Sequence, residues 1–353
     1  MKEKFYTVDS IVDWMCKNGY FTGATYSISD GKSYCEGFKG YRSLIPTRVE
    51  NNIDTLYDMA SLTKVIVTNT IFTKALEEGR INLSDKLEKF LPQYSDLDIN
   101  IYSLVTHTSG LSADFDIPNI HSNEDFLKQL NDMNKEYETG TDVVYSDIGF
   151  VLLGKVLEKV YGKSLDEIAI EKIFKPLDMK TATFYPKKEN TAPTEYTKER
   201  GLVWGKTHDE KAYYSKDIIG HAGLFCSVED VRKFTDMILN DGIVNDSVYL
   251  EKKYLDLWFT PCVTEYDGTV RSIGWIYGKS KNVTGDSVSD NTIYHTGFTG
   301  TSIVVDRDNK LSIILLSNRV HPTRENRKLI PNRHLLVDAV LNKKNNLENG
   351  KSL

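Results

Sequence analysis

Strand-like segments stand at both ends of this 353-residue chain, with a long helical stretch between them. Near the N-terminus, "GATYSIS-DG-KSYCEGF" alternates apolar and polar residues on either side of Asp30-Gly31, the signal of a tight hairpin. Near the C-terminus, "RSIGWIYG" (271–278), "TSIVVDRDNK" (301–310) and "LSIILLSN" (311–318) read as strands, the last two flanking a turn at Asp308-Asn309. An isolated hairpin is marginal in water, so the two sets are expected to pair in one mainly antiparallel sheet flanked by helices. That predicts an α+β fold with an α/β part at 1–80 and 215–345, a mostly helical insertion at 81–214, and a disordered tail at 346–353.

Helices are expected at 9–18, 61–78, 146–162, 164–174, 227–242 and 332–342. The segment 61–78 carries apolar residues at 62, 65, 66, 71, 72, 75 and 76, with Gly79 where a helix-ending glycine belongs. Its run of β-branched residues, Val65 to Thr68, favours a strand instead; length and spacing decide for a helix. Ser164 and Glu167 form a capping-box pattern.

The formal charge of −6 is spread over interspersed acids and bases, which gives no basic face for nucleic acid and no polybasic run for an anionic membrane. No apolar run is long enough to cross a bilayer, and no apolar signal-peptide core is visible because Asp9 and Asp13 interrupt the first segment. Four dispersed cysteines form no Cys-x-x-Cys pair, so free thiols are expected. These features predict a cytoplasmic protein, unless a leader precedes the sequence, and a monomer.

Within 61–78 the motif Ser61-x-x-Lys64 places a hydroxyl and an amine on one helix face. A buried lysine can assist a serine nucleophile, and a helix N-terminus supplies N–H groups for an oxyanion. The segment alone equally allows a surface lysine with its stem laid along the helix. A second Ser-x-x-Lys, Ser29 to Lys32, falls in the hairpin turn and carries no such meaning. His208-Asp209-Glu210 with His221 has no metal-ligand spacing and reads as loop, and His107 in "THTSG" reads as fixing a helix–loop junction.

Two further segments complete a pattern: Tyr145-Ser146-Asp147 before an apolar helix, and His295-Thr296-Gly297 opening a strand. With Ser61-x-x-Lys64 they resemble, in order and spacing, the three signatures of the penicillin-recognising serine hydrolases, in particular the class C β-lactamase and DD-peptidase branch. "LVTHTSGL" (104–111) and "GHAGLFCSVEDVRKF" (220–234) are also similar to stretches of that family, and the resemblance spans about residues 8–340.

The resemblance implies a β-lactamase/transpeptidase-like fold and acyl transfer to Ser61 followed by hydrolysis, with no metal or organic cofactor. Lys64 and Tyr145 would share the proton work, and which is the base stays open. The backbone N–H groups of Ser61 and Phe298 would form the oxyanion hole. Gly297 would let substrate lie along its strand, and Thr296 and His295 would meet the far end of the substrate.

Two departures matter. Asp147 stands where the family usually has Asn, so it either caps the helix or pairs with Lys64 or with a substrate amine. His295 stands where lysine is common and is a weaker anchor for a carboxylate. The expectation is therefore an esterase- or amidase-like hydrolase of small acyl or D-amino acyl substrates. The alternatives are a D-Ala-D-Ala carboxypeptidase or class C-like β-lactamase, and a non-catalytic binding member.

Overall fold

The computed structural model describes residues 2–341, and the tail expected at 346–353 lies outside them. The chain opens with helix α1 (Lys2–Lys17), longer than the 9–18 read from sequence. Strands β1 (Gly23–Ser29) and β2 (Tyr34–Ser43) follow as the expected hairpin, then a short edge strand β3 (Val49–Glu50). The C-terminal part adds β4 (Val263–Thr264), β5 (Val270–Arg271), β6 (Ile276–Tyr277), β7 (Thr292–Thr296), β8 (Ser302–Asp306) and β9 (Leu311–Ser317). They form one antiparallel sheet in the order β4-β5-β6-β7-β8-β9-β1-β2-β3. The chain ends meet at the β9–β1 ladder, where Ala24 faces Ser317 and Ile28 faces Ile313.

Both faces of the sheet are covered, so β1 and β9 are buried along their whole length. Ala24, Tyr26, Ile28, Ile313 and Leu315 pack under α1 and the C-terminal helix α5 (His334–Leu341), against Val8, Val12, Met15, Leu336, Val337 and Val340. Ile303, Val305, Ile314 and Leu316 on the other face join the main core with Phe234, Met237 and Ile238 of helix α4 (Val228–Leu239). That alternation is the period of two that the strand pattern carries.

"RSIGWIYG" is not one strand. It folds back at Ser272–Trp275, where Gly274 takes φ +75°, and β5 pairs with β6 through Arg271 and Ile276. A side chain at 274 would strike the Asn69 amide, which donates to the Ile273 carbonyl at 3.2 Å. The conflict between pattern and β-branching in 61–78 has a structural answer. The segment starts as a π-turn (Lys64–Thr68) and tightens into helix α2 (Asn69–Glu77). The Asn69 N–H reaches the Lys64 carbonyl, and the Thr70 hydroxyl reaches the Val65 carbonyl, both spanning five residues. Gly79 ends the segment at φ +66°. Helix α3 (Asp147–Tyr161) crosses beside this segment, and its N-cap is Ser146, whose hydroxyl accepts the Gly149 N–H at 3.2 Å. Asp147 is therefore not the cap.

Candidate active site

The sequence places Ser61 just after a constrained turn. Ala60 adopts φ +46°, a left-handed conformation that costs an alanine about 1–2 kcal/mol. Asp58 braces it: one carboxylate oxygen accepts the Ala60 N–H at 2.8 Å and the other the His208 N–H at 2.6 Å. The loop after β7, in the middle of the sheet, docks on the same turn. Thr299 donates to the Asp58 carbonyl at 2.7 Å and Thr301 to the Met59 carbonyl at 3.2 Å. Gly297 lies so close that a Cβ would sit 2.6 Å from the Met59 oxygen. The third motif is thus held against the turn that carries Ser61 by two threonine hydroxyls and by the close approach of Gly297. Among the described residues, the N–H groups of Ser61 and Phe298 have no acceptor, so both can donate to an oxyanion.

Lys64 is fully buried. Its ammonium donates to Ser61 Oγ at 3.0 Å and to Asp147 Oδ1 at 2.6 Å, and lies 4.8 Å from the centre of the Tyr145 ring. Burial by itself would lower the Lys64 pKa, but Asp147 and Tyr145 together outweigh it and hold it above the ordinary lysine value.

Asp147 has a second cation. Its Oδ2 lies 3.0 Å from Lys211 Nζ, which is 1% exposed and also bonds Asp114 (2.8 Å) and Asp209 (3.0 Å). Burial opposes ionisation of Asp147, but Lys64, His221 and Lys211 overcome it and keep the carboxyl well below its ordinary value. His221 Nε2 bonds Asp209 Oδ1 at 2.9 Å. Asp147, Asp209 and His221 bring three donor atoms within 4.8 Å of one another, a spacing a cation can use. The Lys211 ammonium already lies 3.0 Å from both carboxylates and supplies that charge. Asp209 also caps the short helix Glu210–Tyr214, so the stretch read as loop is ordered and part of the site.

Tyr145 is walled by His107 (ring centres 4.7 Å apart), His295 (6.1 Å) and the Arg271 guanidinium, 5.0 Å from its ring. His107 Nδ1 accepts the Ser146 N–H at 3.0 Å, fixing the turn that presents Tyr145. His295 is pushed down to about 3 by burial, then by Lys64 and Arg271, so it is neutral at physiological pH. Its Nδ1–H donates to the Thr296 carbonyl at 3.0 Å, which leaves Nε2 as a bare acceptor. It cannot serve as a cationic anchor for a carboxylate. Arg271 pairs with Glu265 and keeps one buried Nη with no hydrogen-bond partner among the described residues, its guanidinium beside the Tyr145 ring. Phe298 is half exposed, stacked on His208 and on the Arg319 guanidinium. Arg333 donates to the Gly297 carbonyl at 3.2 Å.

The structure brings Ser61, Lys64, Tyr145, Asp147, His295, Thr296, Gly297 and Phe298 into one region between the sheet and the helical part. A groove of about 700 Å³ borders Asp114 and Ile148 and does not include Ser61. Sequence reasoning missed Lys211, Asp114, Arg271, Asp58 and Arg333. Lys211, Asp114, Arg271 and Arg333 meet the site through residues far along the chain, and Asp58 bonds both the nearby Ala60 N–H and the distant His208 N–H.

Residues 17–338 match the family model described as Beta-lactamase. The chain belongs to the beta-lactamase family. As a member it is a serine hydrolase with the beta-lactamase/transpeptidase-like fold expected from its motifs. It is 28% identical to the N-acetylmuramyl-L-alanine amidase of Bacillus subtilis (strain 168), over 90% of this chain and 82% of that protein. It is 30% identical to a putative D-alanyl-D-alanine carboxypeptidase of Escherichia coli (strain K12), over 79% of this chain and 72% of that protein. Among solved structures, EstCE1, a hydrolase with promiscuous acyltransferase activity, superposes with a TM-score of 0.77 at 18% identity, covering 96% of this chain and 99% of its own. The octameric penicillin-binding protein homologue from Pyrococcus abyssi gives 0.71 at 24% identity, covering 89% and 73%.

Proposed function

We propose that this protein is an amidase that cleaves a small N-acyl amino acid or peptide through an acyl-enzyme on Ser61, with N-acetylmuramyl-L-alanine as the model substrate. The observation that carries the reading is the contact between Ser61 Oγ and the fully buried ammonium of Lys64 at 3.0 Å. The amidase relative supports the bond type, because the match covers most of both chains.

In this mechanism Ser61 Oγ attacks the amide carbon while the carbonyl oxygen turns toward the free N–H groups of Ser61 and Phe298. Lys64 is held protonated by Asp147, so it stabilises the developing alkoxide by charge and a hydrogen bond. In this reading Tyr145, whose ring lies 4.8 Å from the Lys64 ammonium and 5.0 Å from the Arg271 guanidinium, reacts as its phenolate: its oxygen takes the serine proton and then passes it to the leaving amine. Water then attacks the ester, and the same groups return the proton to Ser61. Asp147 presents its oxygens to Lys64 and Lys211, so it orients the lysine instead of receiving a substrate amine. Neutral His295 accepts a hydrogen bond from substrate at Nε2.

The test is release of L-alanine from N-acetylmuramyl-L-alanine, measured beside an acyl-D-Ala-D-Ala peptide and p-nitrophenyl acetate. Turnover of the first that Ser61→Ala abolishes is the expected result. Faster turnover of the D-Ala-D-Ala peptide would replace the amidase reading with a carboxypeptidase. Turnover of none of the three would leave a binding member.

A further inference from the structure

The second motif carries a carboxylate where a neutral amide is usual in the family. We propose that Lys211 is the counter-charge that makes this aspartate workable: a positioning residue that occupies one oxygen of Asp147 so that only the other engages Lys64. The proposal rests on the reading of Ser61 and Lys64 given above.

The geometry divides the carboxylate cleanly. Oδ1 lies 2.6 Å from Lys64 Nζ and Oδ2 lies 3.0 Å from Lys211 Nζ. Lys211 is as buried as Lys64, and its remaining bonds go to Asp114 and Asp209. A buried ion pair with one partner removed leaves an uncompensated charge, which is strongly unfavourable. Without Lys211, Oδ2 would keep only His221 Nε2, 4.0 Å away, as an ionic partner among the described residues, and the carboxylate would swing both oxygens onto Lys64. That would draw the ammonium away from Ser61 Oγ, with which it shares a single 3.0 Å bond. Lys211 therefore acts through Asp147 and Lys64 and touches no reacting atom.

The charges that surround the pair come from every neighbouring element. Asp147 opens α3 and Tyr145 lies just before its N-cap, His295 belongs to β7 and Arg271 to β5. Asp209 and Lys211 come from the short helix at 210–214 and its cap, with His221, His107 and Asp114 on loops. Two lysines share one aspartate, so each disfavours the charge of the other. Loss of Lys211 would raise the Lys64 pKa further and move the alkaline limb of Ser61 reactivity to higher pH.

The experiment measures the second-order rate at which a fluorophosphonate labels Ser61 between pH 5 and 10. The serine oxygen bonds to phosphorus, fluoride leaves, and the serine proton passes to the general base. The variants are K211M, D147N and the double variant D147N/K211M, with melting temperatures recorded for each. K211M and D147N are each expected to slow labelling at pH 7 at least tenfold, with the alkaline limb of K211M displaced upward. The double variant restores a neutral side chain facing Lys64 and is expected to label at least fivefold faster than K211M. Wild-type labelling of K211M, or a double variant no faster than the slower single variant, overturns the proposal. If K211M does not fold, K211R carries the test: it keeps the charge and is expected to label faster than D147N, and a rate at or below D147N overturns the idea. Absence of labelling in the wild type would instead remove the reading of Ser61 itself.

Discussion

Gly297→Ala tests how the two halves of the site are held together. A Cβ at 297 would lie 2.6 Å from the Met59 carbonyl oxygen and 2.1 Å from Thr301 Oγ1, which is itself bonded to that carbonyl. The threonine can rotate away, but the carbonyl belongs to the turn that carries Ser61. Relief requires the strand end and the turn to separate by about half an ångström, an overpacking strain worth about 1–3 kcal/mol. A misplacement approaching 1 Å at a reacting centre can lower a rate about 10²-fold. The expected outcome is a clear fall in melting temperature with a loss of about 10- to 100-fold in fluorophosphonate labelling of Ser61. Gly149→Ala in α3 is the control. Its nearest contact is an ordinary 3.4 Å to the Leu104 carbonyl, and a helical Gly→Ala change is expected to be neutral or to stabilise by up to about 1 kcal/mol. Unchanged labelling and unchanged melting temperature for Gly297→Ala would refute the argument that docking of the third motif sets the catalytic spacing.

Ala60→Gly removes the left-handed penalty before the nucleophile and should stabilise the fold by up to about 1 kcal/mol, read by urea denaturation. Asp58→Ala strips the brace from the same turn and should destabilise it and slow Ser61 labelling, whereas Asp58→Asn keeps the acceptor for the Ala60 N–H and should do less harm. His295 has a folded pKa near 3 against an ordinary 6.5, so the unfolded chain binds the extra proton. Its contribution to stability is complete above about pH 6.5 and is lost as pH falls toward 3. His295→Gln should flatten the fall in unfolding free energy between pH 6.5 and 4.5, and an unchanged slope would contradict the neutral assignment. Arg333→Met removes the cation from the Gly297 carbonyl, whose peptide carries the Phe298 N–H. It should lower kcat by about tenfold with KM little changed, less than the 10²–10³ that a direct oxyanion donor is worth.

The sheet was legible because alternation and turn chemistry are local, and β1, β2, β8 and β9 fall where the pattern puts them. The "RSIGWIYG" stretch misled because its reversal is set by Gly274 meeting Asn69, a contact that no window of sequence contains. The contact between Ser61 and Lys64 was legible because their spacing of three residues puts them within one turn of each other. The identity of the N-cap was not, since Ser146 and Asp147 are adjacent and both suited to capping. Lys211 lies 64 positions from Asp147 in a run of ordinary charged residues, and only tertiary packing distinguishes it from a surface lysine. Arg271 and Arg333 were invisible for the same reason.

The ladder between β1 and β9 also orders events during synthesis. β9 is the strand that bridges the N-terminal hairpin to β8 and, through it, to the strand carrying His295, and it is the last strand to be synthesised among the described residues. Until residue 317 has emerged, the hairpin and the third motif belong to separate fragments with no ladder between them. A nascent chain can therefore hold Ser61 and Lys64 on their helix and still lack the second wall of the pocket. Hydrolytic competence arrives only with the closing strand, so a prematurely terminated product is expected to be inert.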